Sequence, residues 1–308
     1  MTFSIVALDQ GTGDLGVAVA SKFLAVGSVV PWARAGVGAV ATQAWANVSY
    51  GADGLDLVES GVEPTTAIER LIAADEGRIH RQLGMVDATA RSATYTGSGC
   101  FPWAGGRAAD GLAAQGNILS GPQVVDALVE TFQAAGGSLT DRLLGALLAA
   151  DRAGGDARGR QSAAILIVRA DAGYNGGNDR WIDLRVDDHP DPVPELARLY
   201  GVWRLLSEPP DAADLVPIDD ALATELQARL ARAGWGPGRA DSVAAVIRAA
   251  TAESRRVGEP RPATDAWTTE WDAELLAWMG FANLEERAAA MGWIDPQVLR
   301  ELRMATGE

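Results

Sequence analysis

The opening strand constrains this fold more than any other stretch. Thr2-Phe3-Ser4-Ile5-Val6-Ala7-Leu8 alternates polar and apolar side chains from the second position, the pattern of a half-buried strand. Gln10-Gly11-Thr12-Gly13-Asp14 has the glycines and the Asp of a tight reversal, and Leu15 to Ala20 returns as a second strand of small apolar residues. A second pair is expected at Val26 to Val30 and Gly36 to Ala44, joined by a turn at Pro31-Trp32-Ala33-Arg34 that sets Arg34 beside the strands. Chain ends are usually loose, so a strand beginning at Thr2 points to a chemical task for that residue. Removal of Met1 leaves a Thr whose hydroxyl and α-amine share one residue. An α-amine of pKa about 7.7–8.0 is a usable base near neutral pH, and threonine activated by its own amine is a known nucleophile class. The plain alternative is that Met-Thr-Phe-Ser merely begins an ordinary strand.

The 308 residues suit one large domain and a smaller one. A net charge of -15 opposes phosphate backbones and anionic lipid surfaces, which argues against nucleic-acid or membrane partners and for a neutral or cationic ligand. With Cys100 alone, neither an intramolecular disulfide nor a cysteine-rich zinc site can form, and a small buried apolar role is expected for it. The sequence shows no basic region leading into an apolar run and no long uninterrupted apolar segment, so a cytoplasmic location is expected.

Further along, Gly54 to Ser60 and Pro64 to Asp75 read as short helices, Arg78 to Val86 and Ser92 to Ser98 as a hairpin, and Leu112 to Asn117 as a short strand. The glycine-rich segment from Thr96 to Gly106 is expected to be a shaped loop. Ser120 with Gln123, and Ser138 with Asp141, have capping-box spacing and open helices to about Ala135 and Ala150. Gln161 to Val168 and Asn178 to Val186 then pair across a glycine turn, and Val193 to Leu206 closes the unit as a helix. Hairpin-linked strands with helices inserted in pairs are best buried as two antiparallel sheets face to face, each with helices outside. The expected fold class is α+β: a four-layer αββα sandwich over residues 1–207, followed by a small all-α domain over 208–308.

With that element order, the residues Phe3-Ser4-Ile5-Val6-Ala7, Val19-Ala20-Ser21-Lys22-Phe23, Val30-Pro31-Trp32-Ala33-Arg34-Ala35-Gly36, Gln115-Gly116-Asn117, Gly154-Gly155-Asp156-Ala157-Arg158-Gly159-Arg160-Gln161-Ser162 and Asp187-Asp188-His189-Pro190 carry a resemblance. The chain resembles a bacterial family of unknown function within the N-terminal-nucleophile hydrolase superfamily, in the proteasome β-subunit-like branch. The resemblance implies a nucleophile at Thr2, and it implies Arg34 where proteasome-like enzymes keep a Lys. An Arg stays protonated, so it can steady developing charge without shuttling a proton. The superfamily's Asp-and-Ser pair before a late strand maps onto Asp156 and Ser162, with Gln161 beside them as a donor. Weaker expectations assign Gly36, Thr42 and Gln43 to substrate or oxyanion contacts, where one backbone donor is worth about 2.7–4 kcal/mol in characterised hydrolases. A glycine turn capped by Asp156, and glycines that only allow close strand packing, are the bland alternatives.

The other polar candidates read more simply as structural. Lys22 is a strand-end charge, and His80 a structural histidine. The cluster Asp187-Asp188-His189-Pro190-Asp191 alternates faces, so few of its groups can meet one ion. No metal and no cofactor are expected.

Beyond Leu206, Glu208-Pro209-Pro210-Asp211 marks a linker. Of the ten Trp residues, Trp203, Trp235, Trp267, Trp271, Trp278 and Trp293 lie in the remainder, which is expected to use them as a miniature core or, alternatively, as an aromatic ligand surface. Trp278 to Arg287 with Ile294-Asp295-Pro296 resembles a peptidoglycan-binding-like module, but with no export signal read in the sequence, docking or dimerisation is expected at least as much as cell-wall contact. The expected function is hydrolysis of a small amide (C–N) substrate by Thr2. A non-catalytic binding protein or an oligomeric scaffold that kept the fold is the alternative, and a homodimer is the expected assembly.

Overall fold

The computed structural model describes residues 2–238 and 242–307. The chain divides into two compact units, Met1–Leu199 and Tyr200–Glu308. The first contains β1 (Thr2–Leu8), β2 (Leu15–Ser21), β3 (Pro31–Arg34), β4 (Gly38–Ala44), α1 (Ser49–Glu59), α2 (Pro64–Ala73), β5 (Arg81–Asp87), β6 (Ser92–Thr96), β7 (Gly105–Ala109), β8 (Leu112–Asn117), α3 (Gln123–Ala134), α4 (Leu139–Arg152), β9 (Ser162–Val168) and β10 (Arg180–Val186), and α5 (Pro192–Ser207) follows. The strands form two antiparallel sheets, β10-β9-β2-β1-β8-β7 and β3-β4-β5-β6. Helices α3 and α4 cover the first sheet, α1 and α2 cover the second, and the two sheets pack on each other. This is the α+β class in four layers, αββα.

Period 2 explains how one strand serves two layers. Val6 and Leu8 of β1 face the other sheet and, with Val17 and Val19 of β2, pack in one cluster with Ala39, Ala41 and Val86 of that sheet. On β4 and β5 the opposite parity, Val40, Leu83 and Met85, packs against Leu55, Ile68 and Leu71 of the helices. The inward face changes character along each central strand. It runs from Leu8 and Val6 to Ser4 and Thr2 on β1, from Ala39 and Ala41 to Gln43 on β4, from Val86 to Gln82 on β5, and from Ala113 to Gln115 and Asn117 on β8. The layer between the sheets is therefore apolar at one end and a buried amide cluster at the other. Gly84 sits at the transition because a Cβ there would lie 1.9 Å from Gln115 Oε1.

Three local expectations are corrected. Pro31–Arg34 is strand β3, and the turn falls instead at Ala35-Gly36-Val37, where Gly36 takes φ +70°. Val26–Ser28 is a single 3-10 turn rather than a strand, because the Val26 N–H donates to Ser162 Oγ (3.1 Å) and Ser28 Oγ to the Ala25 carbonyl (2.8 Å). Gly105 and Gly106, expected as the end of the loop, instead begin edge strand β7 (Gly105–Ala109). The Ser138–Asp141 capping box forms reciprocally, whereas α3 takes Pro122 as its N-cap residue and Ser120 Oγ accepts from the Gln123 side chain (3.2 Å) and donates to the Ala153 carbonyl (3.5 Å) instead of capping the helix.

The second unit contains β11 (Val216–Pro217), α6 (Asp220–Arg232), α7 (Ser242–Thr251), α8 (Thr269–Phe281), β12 (Trp293–Ile294) and α9 (Pro296–Ala305). Trp235, Trp267 and Trp278 are buried among Leu226, Leu230, Leu275, Leu299 and Leu302, so these indoles build the core instead of presenting a ligand surface. Glu225 is gripped by Arg303 (2.8 Å) and Arg229 (2.7 Å), and the hydrogen bonds from Arg303 above all hold its carboxyl at about 2 in spite of partial burial. A folded pKa below the unfolded value of about 4.3 gives stability that is complete above that value and is lost as pH falls toward about 2. Glu225→Gln is accordingly expected to weaken this unit by about 1–2 kcal/mol at neutral pH and to flatten the acid limb of its unfolding curve, as followed by Trp fluorescence. An unchanged acid limb would assign the acid lability to other carboxylates.

Candidate active site

The polar end of the inter-sheet layer opens into a cavity of about 460 Å³. Thr2 is at its floor, nearly buried, with its Oγ1 3.1 Å from Ser21 Oγ and its carbonyl accepting from Gln43 Nε2 at 3.3 Å. Gln43 in turn accepts from Ser4 Oγ (2.7 Å) and donates to Gln82 Oε1 (2.8 Å). Gln82 Oε1 also takes Asn117 Nδ2 (2.9 Å), and its own amide group donates to the Gly116 carbonyl (2.7 Å) and Thr96 Oγ1 (2.9 Å). Gln115 Nε2 closes the set on Ser4 Oγ (2.7 Å). Ser4, Gln43, Gln82, Gln115 and Asn117 are buried yet hydrogen-bonded, so they hold Thr2 from both sheets without an unpaired polar atom in the cluster.

Asp156 and Ser162 shape the cavity from behind. Asp156 Oδ2 accepts from the Lys22 N–H (2.8 Å) and its Oδ1 from the Arg158 N–H (2.9 Å). Ser162 Oγ donates to the Phe23 carbonyl (2.5 Å) and accepts from Val26, which pins the strap that carries Phe23, Val26 and Val30 along the cavity. Neither residue is part of the lining, so both fix backbone beside Thr2 and leave direct contact to others. The cation that does line the cavity is Arg158, whose Nη2 donates to the Lys22 carbonyl (3.0 Å) and meets Asp156 Oδ2 (3.3 Å).

Arg34 is not at this site. It pairs with Gly38 at the start of β4, five residues from Gln43, which at about 3.4 Å per residue is about 17 Å along the strand. There it holds Asp56 (2.9 Å) and Glu59 at the C-terminal end of α1. Antiparallel pairing carries β3 away from Thr2, so the expected Thr2–Arg34 site is corrected, and Gly36 goes with Arg34 to the far end. Thr42 faces the helical side and donates to the Asn47 carbonyl (3.0 Å), which steadies the loop after β4. Gln161 Nε2 bonds Asp188 (3.2 Å), its carbonyl accepts from the His189 N–H (2.8 Å), and its side chain is not part of the lining.

The opposite wall is a braced loop. The Trp45 ring lies 5.1 Å from the His80 ring, and the Trp45 carbonyl accepts from Arg81 Nη1 (2.5 Å). Arg81 Nε and the Tyr50 hydroxyl both reach Asp75, at 2.8 Å and 2.7 Å. The Arg81 hydrogen bond, followed by that from Tyr50, holds the Asp75 carboxyl well below the usual carboxylate range, while burial and the adjacent carboxylate push the Tyr50 hydroxyl up. Cys100 lines the cavity as well, half-buried, with Sγ 3.4 Å from the Arg81 carbonyl. Burial pushes its thiol up, which keeps it protonated and a poor nucleophile at neutral pH.

Sequence reasoning placed Thr2 and Gln43 in the site and missed Gln82, Asn117, Trp45 and Arg158. Strand parity was the available signal for the amides, since Gln43, Gln82, Gln115 and Asn117 all fall on the inward parity of their strands. Among the described residues no group of His, Cys, Asp and Glu is arranged to hold a metal ion, and no helix is long and apolar enough to cross a membrane.

No curated protein matches the chain. A family model described as "Putative peptidoglycan binding domain" matches residues 255–302. A crystal structure of protein SPO2555 from Silicibacter pomeroyi, a member of the DUF1028 family, is 34% identical, with a TM-score of 0.61 over 66% of this chain and 86% of that one. The DUF1028 model itself, that of a family of unknown function, matches residues 2–196, and with that span the chain belongs to the DUF1028 family.

Proposed function

We propose that the protein is an N-terminal-nucleophile-type amidohydrolase that cleaves the C–N bond of a small amide with Thr2, once the residue ahead of Thr2 is removed. The observation that carries this reading is the position of the Thr2 hydroxyl. It stands at the floor of a 460 Å³ cavity, and its backbone is held by Gln43 from the facing sheet. A hydroxyl needs a base to attack a carbonyl, and the 3.1 Å contact with Ser21 offers another hydroxyl rather than a base. A freed α-amine on Thr2 supplies one in the same residue, near the pKa that proton transfer at neutral pH requires. The buried amides fit a site that must stay rigid while charge develops, because dipoles already fixed in place cost no reorganisation.

Two measurements test this. Intact-protein mass of the purified chain is expected to lack Met1. A panel of small amides, lactams and ureido compounds is expected to contain at least one compound that the trimmed protein hydrolyses. A purified protein that keeps Met1 has a blocked amine, and that result, or a trimmed and folded protein inert toward the whole panel, overturns the reading in favour of a binding or scaffold role.

A further inference from the structure

The cavity differs in charge from the protein around it. The chain carries a net charge of -15, yet no Asp or Glu occurs among the described residues of the lining, and Arg158 contributes a permanent cation. Asp156 meets the same guanidinium, but its carboxylate is buried behind the lining and also takes the N–H groups of Lys22 and Arg158. At the cavity wall a bound ligand therefore meets a guanidinium and no carboxylate, whatever the overall charge of the chain. The mouth is apolar. Phe23, Trp45 and Phe101 are 53%, 65% and 60% exposed, and all three line the one cavity. Large aromatic side chains grouped this way mark a surface that a ligand covers.

From this distribution we infer that the cavity takes an N-acylated α-amino acid: an apolar acyl group against the aromatic mouth, the amide at the Thr2 floor, and a carboxylate on Arg158. The inference rests on the hydrolase reading above and names its substrate class. The placement of the cation sets the spacing. Arg158 is held on the Lys22 carbonyl at 3.0 Å, and Lys22 follows Ser21, whose hydroxyl is 3.1 Å from that of Thr2. Thr2 and Arg158 line the same cavity, and the carboxylate placed on Arg158 is an α-carboxylate, two bonds from the amide nitrogen. In the reaction Thr2 Oγ bonds to the acyl carbon, the C–N bond breaks, and the hydroxyl proton passes through the α-amine to the leaving nitrogen. Water then attacks the Thr2 ester, releasing the acyl group as a carboxylic acid and restoring the hydroxyl. The products are one carboxylic acid and one amino acid, with water the only co-reactant.

The test separates the ligand class from the chemistry. Full-length Thr2→Ala protein is titrated calorimetrically with N-phenylacetyl-L-alanine, with its primary carboxamide, which lacks only the carboxylate, and with N-acetyl-L-alanine, which lacks the aromatic acyl group. The first is expected to bind on the order of ten-fold tighter than either of the others. Its advantage over the carboxamide should vanish with Arg158→Gln and return in part with Arg158→Lys. Equal affinity for acid and carboxamide in the Thr2→Ala protein, or binding of neither, overturns the inference. Turnover by the trimmed parent protein then tells the two readings apart. Hydrolysis of the carboxamide as fast as the acid sinks the substrate class and leaves the hydrolase standing. Carboxylate-dependent binding without cleavage sinks the hydrolase and leaves the ligand class.

Discussion

Thr2→Ala protein is expected to fold as the parent does and to cleave no amide. The substitution removes a hydroxyl and a methyl group at a surface that already borders open cavity, so little new void is created and the stability loss stays at about 1 kcal/mol. The backbone anchor survives, because Gln43 holds the Thr2 carbonyl rather than its side chain. Turnover has no such reserve, since removal of the nucleophile of a hydrolase costs about 10⁴–10⁶-fold in kcat. Thr2→Ser keeps the hydroxyl and should retain much of the rate. Arg34→Ala serves as the contrast. Arg34 joins two well-exposed carboxylates at the far end of the sheet, so its loss should leave turnover unchanged and shift stability by less than about 1 kcal/mol. Activity in Thr2→Ala protein equal to the parent would name a different nucleophile. A collapse of activity in Arg34→Ala protein would require the two ends of the sheet to be coupled.

Gln82→Ala is expected to be the most damaging single truncation in the first unit. Gln82 is buried, and its side chain serves Gln43, Asn117, Thr96 and the Gly116 carbonyl at once. Truncation removes none of those partners from the interior and leaves several without a mate, each at a cost of about 1–3 kcal/mol before any relaxation. The expected sum, about 3–5 kcal/mol, is a large share of a typical domain's total stability. It should appear as a thermal midpoint lowered by on the order of 10 °C. A nearly isosteric Gln82→Glu would present a carboxylate to Gln43, which can donate to it, and to the Gly116 carbonyl, which cannot. It should therefore also be destabilising, and more so as pH rises through the carboxylate range. A midpoint within a degree or two of the parent in both variants would mean that water replaces the side chain in the layer.

Local signals carried much of the fold. Alternation in β1, the small apolar run of β2, the Leu112–Asn117 strand and the Ser138–Asp141 capping box are short-range patterns, and each forms where its residues indicate. Where the sequence misled, two causes can be named. Val26–Ser28 fails as a strand because Ser162, which is far along the chain, takes its N–H, and Gly105–Ala109 becomes a strand because β8, the next strand in sequence, pairs with it as a hairpin in spite of the glycines that read as loop.

The sequence by itself determined that Thr2 begins a strand, that paired helices and hairpins must close into layers, and that a Trp-rich helical unit follows, because periodicity and turn chemistry act over a few residues; that β1 is buried on both faces rather than half-buried came from the second sheet and the helices that cover it. Only the tertiary structure decided the site. Which end of β4 meets Thr2 depends on strand register and sheet pairing. The same antiparallel geometry brings Gln43 to Thr2 and carries Arg34 about 17 Å away. Gln82 and Asn117 become buried donors and acceptors for the same reason, whereas Arg158, in the loop before β9, is held at the cavity by the Lys22 carbonyl and Asp156. Strand parity is local and assigns the face, but burial of that face exists only once a second sheet covers it.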